Sequence, residues 1–232
     1  MDTLRTGTEQ RVTEPAGLRD VTHPDLSSVL VHFVDRNRPA GIGVPDEIRA
    51  LDPVERMESI LTDGAISAFV TYSGGMPSVC MTEATWVGVS YLVESRGYKP
   101  WALMFDRQKV YDAGGGPVWY ARPDEYKALK DNTRLRTWAV ELSDQSDWSH
   151  EREWRVPRPA DSGGIAPSIP LLELGFCGVL VGDAAWDPRT VAHDPNLGVG
   201  NLPTHWDFLP SPALVGIPRY WWNSAESSIV RL

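Results

Sequence analysis

The chain has 232 residues, of which 42% are hydrophobic, 23% charged and 9% aromatic, with 31 acidic against 22 basic residues and a net charge of -9. That length fits one domain with room for a sizeable core, and the composition excludes a wholly disordered or collagen-like chain. The acidity argues against a surface that coats nucleic acid generically, and no apolar run is long enough for a membrane-spanning helix.

In chain order, residues 1–25 are polar and without periodicity, and read as a flexible or surface-docked tail with no secretory h-region. Leu30-Val31-His32-Phe33-Val34 reads as a buried strand. Residues 35–45, rich in Gly and Pro, read as a loop. Asp52 before Pro53, with Glu55 three residues on, marks a helix start. That helix runs to Thr62, turns Val54, Met57, Ile60 and Leu61 to the core, and stops at Gly64. Residues 65–68 and 78–82 read as strands around the Gly74-Gly75 loop, and 84–95 as a short helix. Residues 101–106 read as a strand, 106–113 as a helical turn ended by three glycines, 117–120 as a strand and 123–135 as helical. Glu151 to Val156 alternates as a strand does, and 178–182 is the most apolar strand candidate. From Asp194 the chain is rich in Pro and Trp and is expected to wrap the body, with Trp206, Trp221 and Trp222 packing it down.

This pattern predicts an α+β fold with a mixed or antiparallel sheet and a few short helices. It divides the chain into the tail (1–25), a core domain (26–190) and a C-terminal extension packed on that core (191–232). Glycine-rich phosphate loops of the dinucleotide or P-loop type are absent. No spacing among the five His and two Cys matches a zinc site, so no metal is expected. Cys80 and Cys177 sit in apolar runs and read as buried free thiols, which suit a reducing cytoplasm.

The sharpest local feature is Glu151-Arg152-Glu153-Trp154-Arg155. As a strand it puts Glu151, Glu153 and Arg155 on one face, with two carboxylates about 7 Å apart. Carboxylates so placed can stabilise a developing cation or bind a ribose hydroxyl; the plainer alternative is a solvated Glu–Arg ladder. His32, inside an apolar strand, is either a satisfied core residue or a hydrogen-bond donor to a ligand hydroxyl. Thr82-Glu83 ends a strand ahead of Trp86 and Tyr91, where a ligand cleft or a plain helix start both fit. The serines lack a nucleophile-elbow context. A glycosidase- or nuclease-like hydrolase would need a third acid or a ligand set that is not found.

Taken in order, several segments resemble the bacterial abortive-infection family AbiGi and its uncharacterised relatives. They are Leu30-Val31-His32-Phe33, Ile60-Leu61-Thr62-Asp63-Gly64, Cys80-Met81-Thr82-Glu83, Gly97-Tyr98-Lys99-Pro100-Trp101, Pro117-Val118-Trp119-Tyr120, Glu151-Arg152-Glu153-Trp154-Arg155 and Val179-Leu180-Val181-Gly182. The likeness covers roughly residues 28–185. The same outline is similar, more distantly, to ADP-ribosyltransferases of the DarT type, which modify DNA.

The resemblance implies a split mixed sheet cradling NAD as substrate, with Glu153 and Glu151 as candidate catalytic acids. It implies a cofactor-binding set of His32, Phe33, Thr82, Tyr91 and Arg155, with Tyr91 stacked on nicotinamide and Thr82 on a supporting strand. It leaves open which glutamate is catalytic. The loop after Phe33 departs from the family pattern: it begins Val34-Asp35-Arg36, without the expected Thr three residues past the His.

The implied function is an ADP-ribosyltransferase-like effector in phage defence or a toxin–antitoxin pair, with a nucleic acid or protein acceptor, no membrane and a cytoplasmic location. A non-catalytic binding or antitoxin-type protein on the same scaffold is the alternative. The transferase reading requires that His32, Glu151 and Glu153 converge on one cleft, and it fails if His32 and Glu153 lie far apart on opposite faces of the sheet.

Overall fold

A computed structural model describes residues 25–36, 44–159, 166–191, 208–210 and 212–232. The expected tail therefore lies outside the described residues, apart from Asp25, as does Trp206. The strands are β1 (Val29–Phe33), β2 (Ala65–Ser67), β3 (Ser78–Thr82), β4 (Ala102–Asp106), β5 (Gly116–Pro117), β6 (Trp119–Ala121) and β7 (Ala139–Glu141). They continue as β8 (Glu153–Pro157), β9 (Ser168–Pro170), β10 (Phe176–Val181), β11 (Arg189–Val191), β12 (Phe208–Pro210), β13 (Arg219–Asn223) and β14 (Ser228–Arg231). The helices are α1 (Asp46–Ala50), α2 (Pro53–Asp63), α3 (Trp86–Arg96), α4 (Arg107–Asp112), α5 (Pro123–Ala128) and α6 (Thr133–Arg136).

The chain is α+β, built on a large, mostly antiparallel sheet ordered β14-β13-β10-β4-β1-β3-β8-β5. Only the β10–β13 pairing in it is parallel. Two cores flank the sheet. One gathers Leu30, Met81, Leu103, Trp154 and Val179 with Met57 and Leu61 of α2. The other gathers Val31, Phe33, Ala102, Leu180 and Trp222 with Val89 and Leu92 of α3. Successive strand residues alternate between them, as the pleat requires.

Local signals explain the helices. The Asp52 side chain accepts the Glu55 N–H at 2.8 Å, and Glu55 accepts the Asp52 N–H at 2.8 Å, a reciprocal cap in front of Pro53. Gly64 closes α2 in the left-handed conformation (φ 61°), which only glycine adopts without strain. Asp106 caps α4 by accepting the Lys109 N–H at 2.9 Å. Residues 123–135 do not form one helix: α5 ends at Ala128, and Asn132 starts α6 by accepting the Leu135 N–H at 3.0 Å.

The C-terminal extension departs from expectation. β13 and β14 are strands of the main sheet, so a boundary near residue 190 does not mark the edge of the core. Trp222, placed by sequence in a wrapping tail, is a buried core side chain of β13.

The ladder has one weak seam. β1 pairs with β4 over five register positions and β3 pairs with β8 over five, but β1 meets β3 only at Val31↔Thr82. Beyond that point the two strands part.

Candidate functional site

A cavity of about 750 Å³ opens where β1 and β3 separate, within the ~300–1,000 Å³ range of small-molecule and cofactor sites. His32, Arg36, Cys80, Glu151, Glu153 and Arg155 form its polar end. Val44, Ile48, Leu51, Ile60 and Phe69 add apolar lining, and Arg56, Ser59 and Asp63 of α2 border the cavity too.

His32 bridges the parted strands. Its Nδ1 lies 2.7 Å from the Cys80 carbonyl oxygen; a carbonyl only accepts, so Nδ1 carries the proton. Burial, opposed by this hydrogen bond and reinforced by the Arg36 charge, lowers the His32 pKa to about 4. At neutral pH the ring is uncharged and Nε2 is an acceptor. The expected donor role is thereby corrected: the proton that would donate is held by the backbone of β3.

Glu153 opens β8, where it shares a face with Arg155 as the alternation predicts. Arg155 Nε and Nη2 grip the Glu153 carboxylate at 2.9 and 3.0 Å. The rest of the guanidinium is spent on Thr137 O at 2.6 Å and Ser73 Oγ at 2.8 Å. Arg155 is 2% exposed. Burial works against its charge, but Glu153 outweighs that and raises the Arg155 pKa. Burial, followed by the Glu153 charge, pushes the Cys80 thiol up to about 12, so it stays protonated. Tyr120 Oη accepts the Glu153 N–H at 2.8 Å; its own pKa is raised to about 12, chiefly by burial.

Glu151 is not a strand residue, which corrects the reading of 151–156 as one alternating strand. It ends a single 3-10 turn (Ser149–Glu151), and Arg152 follows with φ 44°, a left-handed backbone rare for a non-glycine residue. The kink breaks the ladder ahead of Glu153. The Glu151 carboxylate takes a hydrogen bond from Tyr98 Oη and lies 3.5 Å from Arg36 Nη1. Burial disfavours the Arg36 charge, but Glu151, with Tyr98, Cys80 and Glu153 adding to it, raises the Arg36 pKa.

By alternation His32 follows Leu30 toward one core, while Glu153 and Arg155 face away from Trp154, which packs in that same core. They reach the cavity from opposite faces of the sheet. Both nonetheless border the same cavity at the parting of β1 and β3, where the Cys80 carbonyl meets His32.

The remaining expected site residues are placed differently. Phe33 borders the cavity, but its ring packs edge-on against Tyr98 at 5.0 Å and is 3% exposed. Thr82 is buried, and its hydroxyl donates to the Glu151 carbonyl, so it holds the carboxylate's turn rather than a ligand. Tyr91 sits on the outer side of α3, 46% exposed with its ring beside His150, and is not among the cavity-lining residues described; the nicotinamide-stacking role is not available to it there.

Sequence reading missed Arg36, Ser73 and Tyr98. Tyr98 had a signal, because it follows Gly97, whose left-handed cap (φ 73°) ends α3 and turns the next side chain inward. Arg36 occupied the very loop that departs from the family pattern.

Behind β8, Trp154 Nε1 donates to Glu83 Oε2 at 3.0 Å, and the Arg107 guanidinium stacks over the Trp154 ring at 5.0 Å. Arg107 Nε lies 3.0 Å from Glu83 Oε1 without hydrogen-bond alignment, so that contact is one of charge. This cluster anchors β8 on the face opposite Glu153 and Arg155.

Among the described residues no group of three or more His, Cys, Asp or Glu is placed to hold a metal ion, and no helix is long and apolar enough to cross a membrane. Comparison with protein-family models, curated proteins and solved structures found no match.

Proposed function

We propose that this protein is an ADP-ribosyltransferase-like enzyme that binds NAD in the cavity between β1 and β3. The observation supporting this is that His32, Glu151 and Glu153 border one cavity at a break in the sheet. In this reading the parted strands are the split sheet of the transferase fold. The C1′–N bond of the nicotinamide ribose breaks heterolytically. Its electron pair leaves with neutral nicotinamide, and positive charge develops on C1′ and the ring oxygen. An acceptor X–H bonds C1′ and releases its proton. A carboxylate beside C1′ favours this charged state over the ground state. The neutral His32 accepts a ribose hydroxyl proton at Nε2, which orients the sugar. The resemblance to AbiGi supports a setting in phage defence or a toxin–antitoxin pair, in the cytoplasm.

The test is label transfer from adenylate-labelled NAD into lysates of the native host, uninfected and phage-infected, with wild type beside the Glu151→Gln and Glu153→Gln variants. Transfer by wild type that is lost in at least one variant that still folds is the expected result. Nuclease or protease treatment of the product then assigns the acceptor class.

A second reading, a non-catalytic binding protein, is favoured by one observation: the Glu153 charge is already cancelled by the two-point grip of Arg155. It expects no turnover from wild type and stable co-purification with a partner.

A further inference from the structure

The two edges of the main sheet are finished differently. One edge is β5, only two residues long. Val118 N–H donates to Glu153 O at 3.0 Å, so by alternation Pro117 takes the outward position, where it has no N–H to offer a further strand. The other edge is β14, which runs four residues in unbroken register against β13 and contains no proline. Among the described residues nothing pairs with its outer side. Leu232 N–H donates to Arg219 O at 2.9 Å, so Leu232, Val230 and Ser228 turn their backbone groups toward β13. The N–H and C=O groups of Ile229 and Arg231 therefore point away from the sheet. Exposed apolar side chains flank this edge on both faces. Ile229 packs toward α3, and Val230 takes the opposite face, where it and Leu232 are exposed. On the α3 face Trp86 and Val87 are exposed, and Trp86 leans on Tyr220, the register partner of Arg231, at 4.9 Å. Charge is divided along the strand as well. Glu226 lies in the turn before β14 and Arg231 near its end; both are exposed, and neither forms an ion pair among the described residues.

We infer that β14 pairs antiparallel with β14 of a second copy of this chain, giving a two-fold dimer with one sheet running through both copies. A strand that pairs antiparallel with its own copy meets it head to tail, so the acidic start of each lies against the basic end of the other. Glu226 of one copy then stands beside Arg231 of the other, and the symmetry makes that contact twice. The outward N–H and C=O groups of Ile229 and Arg231 supply the backbone hydrogen bonds. Val230 and Leu232 cover the joint on one face, and Trp86 and Val87 extend it on the other. The apolar flanks are needed, because so short a ladder by itself buries less than the ~1,000 Å² of a stable interface. The dimer is independent of what the cavity binds.

The test is sedimentation velocity of the full chain over a dilution series, with hydrogen exchange read at the Ile229 and Arg231 amides. Wild type is expected to run at twice the chain mass, with both amides protected in the dimer and exposed once it dissociates. Arg231→Glu and Glu226→Arg change exposed side chains, so both variants are expected to fold and melt as wild type does. Each sets like charges together twice across the two-fold and should weaken the dimer by about tenfold or more. The two substitutions move the net charge in opposite directions, so a loss common to both is not an effect of net charge. The double variant exchanges the signs and should recover most of the affinity. Wild type that is monomeric at every concentration overturns the inference. A dimer unchanged by both single variants also overturns it, because the contact then lies elsewhere. A double variant no tighter than the single ones overturns the antiparallel pairing. Protection of Ile229 and Arg231 that persists in the dissociated chain would mean that another segment of the same chain covers the edge, and the inference fails there too.

Discussion

His32 shows how much a single contact decides. Its sequence position, between Val31 and Phe33 in an apolar strand, allowed a core histidine or a ligand donor. The Cys80 carbonyl at 2.7 Å settles the tautomer, and burial settles the charge. Because the folded-state pKa, about 4, lies below the ordinary 6.5, the unfolded chain binds more protons between those values. Stability from this group is full above pH 6.5 and is lost as pH falls toward 4. The loss amounts to about 2–3 kcal/mol at the low end. Urea titrations at pH 7, 5.5 and 4.5 should therefore show wild type losing more stability than His32→Gln across that range. Parallel loss in both proteins would mean that the imidazole is not held neutral. The pairing of Glu153 with Arg155 was legible from period-2 spacing alone. The hydrogen bond from Tyr98 to the Glu151 carboxylate was not, because Tyr98 lies 53 residues upstream of Glu151.

At the scale of elements, α2 was legible almost to the residue because its signals are local: Asp52 and Glu55 cap each other, Pro53 fits the first turn, and Gly64 takes the left-handed stop. The turn before β3 was visible only as a Gly-Gly pair. In the fold it is stapled from outside. Tyr126 Oη and Arg136 Nε both donate to Ser73 O at 2.7 Å, and Met76 N–H donates to Thr137 Oγ1 at 2.8 Å. Gly75 has φ +89°, and an added Cβ would stand 2.7 Å from backbone atoms of Thr137. Gly75→Ala is therefore expected to cost about 2–4 kcal/mol, from strained backbone plus overpacking. Since Ser73 Oγ also accepts from Arg155, the damage should spread to the Arg155–Glu153 pair. Chemical unfolding measures the first effect. A loss below about 1 kcal/mol would show that the turn can move off α6 freely.

For the whole molecule, the sheet order decides what belongs to the core. β10, the most apolar strand in the sequence, needs a neighbour on each side; β4 supplies one and β13, more than 35 residues downstream, supplies the other. Deleting residues 219–232 would bare the β10 edge and remove Trp222, together with Ile229, from the core beside α3. The shortened chain is expected to be insoluble, or to lack cooperative melting and near-UV circular dichroism. A soluble, cooperatively melting 1–218 fragment would show that these strands are an appendage.

The sequence by itself determined the class of fold, the capped helices and most of the strand positions, because caps, turns and alternation act within a few residues. It also singled out His32, Glu151 and Glu153 as a set. Tertiary structure alone decided that β1 and β3 part after one register pair, that the cavity forms in that gap, and that Arg155 neutralises one glutamate while Tyr98 and Arg36 hold the other. Those outcomes follow from register and packing between distant segments, which no local pattern encodes.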